Sequence, residues 1–507
     1  MRLRKNEPIV IGRGLGGPAE VLFICFDIET GAGLHPRDKT PPFGLLLSGA
    51  ILETAGRGSM LLELNHHDLA THRYERYIKN GARVVVVETG AGCGEQLKAL
   101  AFAASRCGAS VIACGPYIAT NFESVLDEYE VDFCVAGEAE PVTPALVNWI
   151  ISDRAGEPPA GVRWIEDGTL KSSVPAEPAN TDSMPFLPLT ALKSNRYEKN
   201  SFPVSTGRRL KWGFVLGNRG CRFSCDFCTA MTRQSLEKKY RLCSPERLYA
   251  EMKYQIEEGG RNIISVEDDL FTGSREWTLA FCRLLKQKNW RYPWIMQTRF
   301  DCLDEELLIA LKRAGCAGIT CGVESGSDIV LERLNKKTTV SRIRETGAAI
   351  GRLGFTARYT TMTGSPGESE ADFEKTAALI KELNPTVVQM SFCTPYPDTK
   401  LHVTNRPPHM KRFEAPSADY SAIDPEKLGK LRLAFYKHYY FSFRYIRGHI
   451  SEWVGYYLHN PLRAMRQVGT FLLFLTGQKI RMKSASSLFL RINENRIDEQ
   501  TAGYTQA

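Results

Sequence analysis

Features that would place this chain in a membrane or outside the cell are missing from its 507 residues. No cationic and then apolar leader follows Met1, and no unbroken apolar run is long enough to span a bilayer. The 14 cysteines are scattered through apolar segments and lack the dense, even spacing of a small disulfide-stapled scaffold. We therefore expect a cytoplasmic protein whose thiols stay reduced and free to bind a metal.

Signs of disorder or repetition are also missing. The composition is 43% hydrophobic, 24% charged and 10% aromatic, as in a folded protein, and no internal repeat or low-complexity tract occurs. The length exceeds what one typical core supports, so we expect two or three domains. The net charge of +8 is a local feature, because residues 430–484 hold ten Lys and Arg residues against a single acid, Glu452.

Residues 20–153, within a first domain that we expect to span 1–153, repeat a short apolar run, a turn and a stretch with helical periodicity. The runs include "EVLFICF", "ARVVVVET" and "ASVIACG", and the helical stretches include "GEQLKALAFAASR". Strands that alternate with helices predict a Rossmann-like, doubly wound parallel sheet in an α/β fold. A ligand of such a sheet lies over the carboxyl ends of its strands.

Three further segments follow. Residues 154–210 are rich in Pro, Gly and Ser, which predicts a linker. Over 211–405 six more strand and helix units predict a partial (β/α)6 barrel, in which reactive groups gather at the carboxyl ends of the strands. Residues 406–507 form a C-terminal helical region that is basic and aromatic.

The stretch "NRGCRFSCDFCTA" at 218–230 places three cysteines just past the first strand of the predicted barrel. A structural zinc ion would need a fourth ligand, for which Asp226 and Cys243 are the nearest candidates. A redox pair of Cys225 and Cys228 would leave Cys221 without a role. A four-iron cluster on three thiolates uses all three and leaves one iron open to chelate a small molecule.

The same stretch resembles the signature of the radical S-adenosylmethionine (SAM) superfamily, CxxxCxxC with an aromatic residue before the last cysteine. The segments "SVEDDLFT", "GVESGS", "LNKKTT", "MTGSPGES" and "TPYPDTKL" are similar to the branch that carries an N-terminal cobalamin-binding domain. "PPFGLLLSGAILE" and "VDFCVAGEAEP" are similar to the cobalamin domain of that branch. The resemblance covers about residues 20–400.

The resemblance implies roles for particular residues. Cys221, Cys225 and Cys228 would bind a [4Fe-4S] cluster, Phe227 would help to place the adenine of SAM, and Glu324 would touch its methionyl or ribose end. Four further candidates for cofactor binding at predicted strand ends facing the barrel mouth are Asp268, Asp269, Gln297 and Arg358. The alternative for these four is structural hydrogen bonding at that mouth.

The resemblance also implies a reaction and partners. An electron from a donor such as flavodoxin or ferredoxin would cleave SAM, and the resulting radical would abstract hydrogen from a small-molecule or natural-product substrate. Methylcobalamin would then donate a methyl group, and a second SAM would remethylate it. No recognisable nucleic-acid module accompanies the basic charge, so we expect no nucleic-acid partner.

One departure from the branch concerns the cobalt ligand, because the DxHxxG motif of many cobalamin domains is absent. His35, in the loop after the first strand, is a candidate ligand, and the pair His66 and His67 is another. Either cobalamin binds without a protein ligand, or the domain has kept the fold and lost the cofactor. In the second case the chain would catalyse rearrangement, ring closure or transfer of the 3-amino-3-carboxypropyl group of SAM, for example to arsenic.

A remote alternative is a structural zinc- or cluster-binding protein.

The basic aromatic segment at 426–475 has several interpretations. It could lie on an anionic membrane surface, or line a groove for a lipid, a tetrapyrrole or a phosphorylated substrate. Its aromatic side chains could instead pack the helices against the barrel, and we favour packing because stripes of large aromatics are usually core. These side chains are Tyr436, Tyr439, Tyr440, Phe443 and Tyr445.

Overall fold

A computed structural model describes residues 7–12, 19–26, 38–90, 93–199, 202–204, 208–228, 240–396, 399–404 and 421–459. None of the helices in these ranges is long and apolar enough to cross a membrane. Two large sheets organise the described chain, one of eight strands and one of six. The predicted α/β class, with a Rossmann-like sheet, a partial barrel and C-terminal helices, is confirmed.

The first sheet has the order β1-β3-β2-β4-β5-β6-β7-β8, and its five central strands, β3 to β6 with β2, are parallel. The parallel strands thus follow the order 2-1-3-4-5 along the chain, a doubly wound arrangement whose ligand site lies at the carboxyl ends where the order reverses. Strand β4 reads "VVVV" because helices cover both of its faces. The strands are β1 (Ile9–Ile11), β2 (Val21–Phe26), β3 (Ser59–Leu64), β4 (Val84–Glu88), β5 (Ser110–Cys114), β6 (Phe133–Val135), β7 (Val162–Glu166) and β8 (Thr169–Ser172).

Part of the predicted linker belongs to this sheet. Strands β7 and β8 form a hairpin that pairs antiparallel with β6. Its turn holds Asp167 at φ 50° and Gly168 at φ 70°, the left-handed pair that an Asp-Gly turn supplies. The expectation of a linker over 154–210 is therefore incomplete, because the Asp-Gly signal for a hairpin lies inside it. The boundaries between the domains stay a prediction.

The second sheet is a half-open barrel of six parallel strands in the order β16-β15-β14-β13-β12-β9. Each strand pairs with the next one along the chain, because helices return the chain to the same edge every time. The strands are β9 (Trp212–Val215), β12 (Ile263–Val266), β13 (Trp294–Thr298), β14 (Cys316–Glu324), β15 (Thr356–Thr363) and β16 (Val387–Phe392), and a small ribbon pairs β10 (Asn218–Arg219) with β11 (Arg241–Leu242).

The helices pack on both sheets. Those of the first part are α1 (Phe43–Thr54), α2 (His66–Ala70), α3 (Glu75–Lys79), α4 (Gly94–Ser105), α5 (Pro116–Glu128), α6 (Ala139–Ile151) and α7 (Leu189–Lys193). Those of the second part are α8 (Pro245–Glu257), α9 (Arg275–Gln287), α10 (Glu305–Arg313), α11 (Asp328–Arg333), α12 (Val340–Arg352), α13 (Glu370–Leu383), α14 (Lys400–Thr404), α15 (Pro425–Tyr440) and α16 (Phe443–Leu458).

One hydrophobic core joins the two sheets. It combines α1 and α6 of the first sheet with Phe202 of the connecting segment and with Phe214 and Ile295 of the barrel. The Phe202 ring lies where a Cβ at Gly318 would stand, 2.2 Å from its Cε1, so a glycine is needed for this close approach. The connecting segment thus fills the barrel near the amino ends of its strands and leaves the carboxyl ends for a site.

Side chains satisfy both open edges of the six-stranded sheet. At the β9 edge, the buried amide of Gln255 accepts a hydrogen bond from Phe214 N at 2.7 Å and donates one to Phe214 O at 2.6 Å. At the β16 edge, the Tyr436 hydroxyl accepts from Met390 N at 2.7 Å and the Tyr440 hydroxyl accepts from Val388 N at 3.0 Å. Side chains therefore take the place of a further strand at each edge.

The packing predicted for the aromatic segment is confirmed for its tyrosines. Tyr436, Tyr439 and Tyr445 are buried, and the Tyr439 and Tyr445 hydroxyls donate to the carbonyls that precede β16. Phe443 is different, because 77% of it is exposed on the first turn of α16. Its assignment to the packed set is wrong, since it lies on the opposite side of the helix from Tyr445.

We expect Gln255→Leu to lower the free energy of unfolding by about 2–4 kcal/mol, because it leaves the buried N–H and C=O of Phe214 without partners. Urea denaturation measures the change. The control is Gln287→Leu at the exposed end of α9, which we expect to alter stability by less than about 0.5 kcal/mol. Equal effects of the two substitutions would contradict the role of Gln255 as an edge cap.

Candidate active site

The three predicted cysteine ligands lie in one loop beyond the carboxyl end of β9, framed by the ribbon of β10 and β11. Cys225 is buried, and Cys221 and Cys228 are partly buried. Within the described ranges, no three His, Cys, Asp or Glu side chains are gathered closely enough to hold a metal ion, and these cysteines are no exception. The loop brings the thiols to the expected place, and their role as ligands stays a prediction.

The surroundings of the loop fit a cluster held by thiolates. The Arg299 guanidinium donates a hydrogen bond to Cys225 Sγ at 3.1 Å and lies 3.8 Å from the centroid of the Phe223 ring. Two hydrogen bonds of 2.9 Å to the Asp301 carboxylate hold the guanidinium in this position. A buried cation at the sulfur offsets the negative charge that thiolates bring, and hydrogen bonds to sulfur tune cluster potentials.

The pKa of the Cys221 thiol is raised in this loop. Burial, and to a smaller extent the charge of Asp269, raises the pKa of the Cys221 thiol above its usual value, while donation from the backbone of Phe223 opposes the shift. The thiol therefore keeps its proton at neutral pH in the absence of a metal. Binding of iron would release the proton, as it does for metal-binding cysteines in general.

The far side of the cysteine loop is fixed by the turn after α11. Asn335 Nδ2 donates to Ser224 O and to Asp226 Oδ1, both at 2.9 Å. Asp226 N donates to Leu334 O at 3.2 Å. Asn335 lies within "LNKKTT" and had no predicted role, because the residues that it contacts are about 110 positions away along the chain.

Phe227 lies against a small apolar cluster rather than in open solvent. Its side chain packs on Val330, Leu334 and Leu401. The Lys336 ammonium is 5.8 Å from the centroid of its ring. This packing fixes the position of the ring beside the cysteines, and contact with an adenine stays a prediction.

Glu324 ends β14 in an unusual conformation. Its φ is +60°, in the left-handed region, and the strand register shifts just before it. Lys336 Nζ forms an ion pair with Glu324 Oε1 at 2.7 Å, and both side chains are buried. A Cβ at Gly322 would stand 2.1 Å from the same oxygen, so glycine there makes room for the carboxylate. Strain of this kind is typical of functional positions.

Asp268 and Gln297 serve the local structure. The fully buried carboxylate of Asp268 accepts hydrogen bonds from Gly217 N at 2.6 Å, from Asn218 N at 3.0 Å and from Asn218 Nδ2 at 2.7 Å. Burial raises the pKa of Asp268 to about 8, although these donors oppose the shift. Gln297 Nε2 donates to Asp268 O at 2.6 Å. These contacts favour the alternative of hydrogen bonding at the barrel mouth, whereas the partly buried Asp269 remains a candidate for cofactor binding.

Arg358 is not at a strand end. It is the third residue of β15, on the face opposite to Tyr359, which packs beneath the helices. Its guanidinium pairs with Asp38 at 2.6 Å and donates to Gln389. The position expected from the sequence is therefore wrong by several residues, because the strand begins only two residues before it.

Loops at the carboxyl edge of the first sheet reach the barrel. Glu140, after β6, pairs with Arg219, and Glu138 pairs with Arg241, so both residues that frame the cysteine loop are held by carboxylates of the first sheet. Asp38, after β2, reaches Arg358 on the inner face of the barrel. Glu138 and Glu140 lie within "VDFCVAGEAEP" and had no predicted role, since their partners are about 80 to 100 residues away.

Of the three candidate cobalt ligands, His67 is the one whose side chain the structure describes. His35 and the side chain of His66 lie outside the described residues. His67 is exposed in α2, where it follows the capping residue Asn65. The axial ligand therefore stays a prediction.

Known proteins are similar to this chain in sequence. Residues 215–380 match the family described as the Radical SAM superfamily. The chain is 25% identical over 372 residues to an uncharacterized methyltransferase of Pyrococcus horikoshii, covering 71% of this chain and 78% of that protein. It is also 26% identical over 290 residues to an anaerobic magnesium-protoporphyrin IX monomethyl ester cyclase of Cereibacter sphaeroides, covering 55% of this chain and 46% of the cyclase.

A solved structure has the same fold. The radical S-adenosylmethionine methyltransferase TsrM from Kitasatospora setae, with cobalamin and a [4Fe-4S] cluster bound, aligns with a TM-score of 0.59 at 16% identity. The alignment covers 76% of this chain and 74% of that one. It therefore includes both the first sheet and the barrel.

We expect Asp268→Asn to lower the iron retained after anaerobic reconstitution several-fold. The new amide NH2 group would have to face an N–H group that donates a hydrogen bond to the Asp268 side chain, and two donors cannot pair. Iron per chain and SAM affinity are both measured. Asp167→Asn, on the exposed hairpin turn, is the control. Normal iron content with weakened SAM binding would show instead that Asp268 contacts the cofactor.

We expect Glu140→Gln and Glu138→Gln each to destabilise the protein by on the order of 2 kcal/mol and to reduce iron retention, because each leaves an arginine beside the cysteine loop without its carboxylate. Glu306→Gln, which removes an exposed ion pair with Arg275, is the matched control with an expected change below about 0.5 kcal/mol. If both buried substitutions matched this control, the two ion pairs would not position the loop.

Proposed function

We propose that this chain, whose residues 215–380 match the Radical SAM superfamily, is a cobalamin-dependent enzyme that transfers a methyl group to a small molecule. The observation that carries the proposal is the contact of the carboxyl-edge loops of the first sheet with the cysteine loop through Glu138 and Glu140. A ligand over the first sheet would therefore lie beside the cluster site. Similarity to a methyltransferase and to TsrM supports the same reaction class.

In this proposal the residues of the barrel have separate tasks. Cys221, Cys225 and Cys228 would hold the [4Fe-4S] cluster, which supplies the electron for cleavage of SAM when bound. Arg299 keeps a positive charge at the sulfur of Cys225. Lys336 neutralises Glu324 and orients its carboxylate at the carboxyl end of β14.

The first sheet offers a surface for a large flat ring. Glycines follow β4, β5 and β6 at its carboxyl edge, as Gly90, Gly115 and Gly137. A Cβ at Gly90 or Gly137 would meet nothing within 4 Å. The open space beside Gly90 and Gly137 would leave room there for a corrin, and cobalamin would supply the methyl group.

A small-molecule substrate and a one-electron reductant complete the proposal, as in radical SAM enzymes generally. A flavodoxin or ferredoxin is the proposed electron donor. The substrate class that we propose is a small molecule.

The second candidate is a reaction that does not use cobalamin, such as ring closure. The similarity to the cyclase of Cereibacter sphaeroides favours ring closure as the reaction of this candidate. In that case the first sheet would shape the site without binding a corrin. Rearrangement and transfer of the 3-amino-3-carboxypropyl group belong to the same candidate.

The test is the metal content of the protein after anaerobic reconstitution, with hydroxocobalamin offered and then removed by gel filtration. We expect about four iron atoms per chain, as in a [4Fe-4S] cluster, and one retained cobalt. Replacement of Cys221, Cys225 and Cys228 together by Ala should remove the iron. Cys107→Ala, at an exposed cysteine, is the control and should leave it unchanged.

The outcomes separate the candidates. Iron with retained cobalt, and methylated product from SAM, supports cobalamin-dependent transfer. Iron without cobalt supports the second candidate and directs the search to other SAM-derived products. One zinc ion and no iron would contradict both, and would indicate a structural metal site.

A further inference from the structure

The last described helix, α16, has two different faces. On one face Tyr445, His449 and Tyr456 are buried against the barrel. Tyr445 Oη donates to Thr386 O at 2.9 Å, and His449 Nε2 is 2.9 Å from Asn384 O. These contacts attach the helix to the barrel through one face. The opposite face of the helix takes no part in them.

The other face is apolar and exposed. Five large side chains recur at intervals of three or four residues, which places them in one stripe along the helix. An amphipathic helix of a soluble domain normally turns such a stripe toward the core. The stripe consists of Phe443, Ile446, Ile450, Val454 and Leu458, whose exposed fractions are 77, 41, 53, 49 and 72% in that order.

The charges around the stripe are positive. Arg444 and Arg447 are exposed beside it, and Arg444 also donates to Glu382 O at 2.9 Å. The single acid of α16, Glu452, lies at 3.2 Å from His449 on the packed side. In the sequence that follows, residues 460–484 contain five Lys and Arg residues and no Asp or Glu.

We propose that this stripe binds the surface of a bilayer that contains anionic phospholipids. The helix would lie in the plane of the interface, with the five apolar side chains among the acyl chains and the arginines at the headgroups. Anionic headgroups complement the charge of both α16 and the segment after it.

The positive charges around the stripe argue against two other partners, a second copy of the chain and the chain's own residues 460–484. Two copies of the chain that docked stripe to stripe would bring the positive rims of both stripes, with Arg444 and Arg447 of each copy, into one interface, since such an interface is isologous. The chain's own residues 460–484 carry charge of the same sign as the rim of the stripe. A lipid surface is the partner for which charge and apolar pattern agree.

The experiment is co-sedimentation of the full chain with vesicles of phosphatidylcholine alone or with about one third phosphatidylglycerol. We expect binding to the anionic vesicles that weakens in high salt. Phe443→Ser with Ile450→Asn should weaken it by roughly tenfold or more for each side chain. Arg447→Gln should weaken it about fivefold, the effect of one basic residue near an anionic surface.

The matched control is Phe102→Ser on α4, where a phenylalanine is 54% exposed outside any stripe, and we expect no change in binding. No sedimentation with anionic vesicles, or equal loss in the Phe102 variant, would overturn the proposal. A dimer in solution that the double variant converts to monomer would assign the stripe to a second copy. Iron content, measured in parallel, should be unaffected, so the result does not depend on the proposed chemistry.

Discussion

The contact between the first sheet and the cysteine loop is the interaction on which the rest of the site depends. A loop with three thiols, a short ribbon at its base and few apolar side chains cannot fix its own position. Asp268 holds its start, Asn335 holds its far side, and Glu138 and Glu140 hold the two arginines of the ribbon. The first sheet therefore takes part in building the site, whichever cofactor it binds.

Burial of charge explains why these contacts are specific. The side chains of Glu138, Glu140 and Asp268, which support the loop, are nearly inaccessible to solvent. Each of them has at least one cationic or N–H partner. The carboxylates of Glu138 and Glu140 are tolerated in such places only with their arginine partners, which favours the arrangement of the loop that keeps both ion pairs. Arg299 and Lys336 follow the same rule beside Cys225 and Glu324.

Periodicity and composition were sufficient to predict the parallel strands of both sheets and the place of the cysteines, because buried parallel strands and amphipathic helices have distinct local patterns. The Asp-Gly hairpin inside the predicted linker was missed although its signal is local. Arg358 was placed at a strand end because the start of β15 was not visible in "ARYTTMTGSP". Phe443 was grouped with the buried tyrosines because composition does not tell the faces of a helix apart.

The sequence by itself determined the chemistry available to this protein: three cysteines at a characteristic spacing, a series of motifs after successive strands, and a basic C-terminal segment. Only the tertiary structure decided which residues serve that chemistry. The partners of Asp268, Arg219, Arg241 and Arg358 lie about 50 to 320 residues away along the chain. Such pairs leave no local pattern, because their contact energy arises only when folding brings distant segments of the chain together.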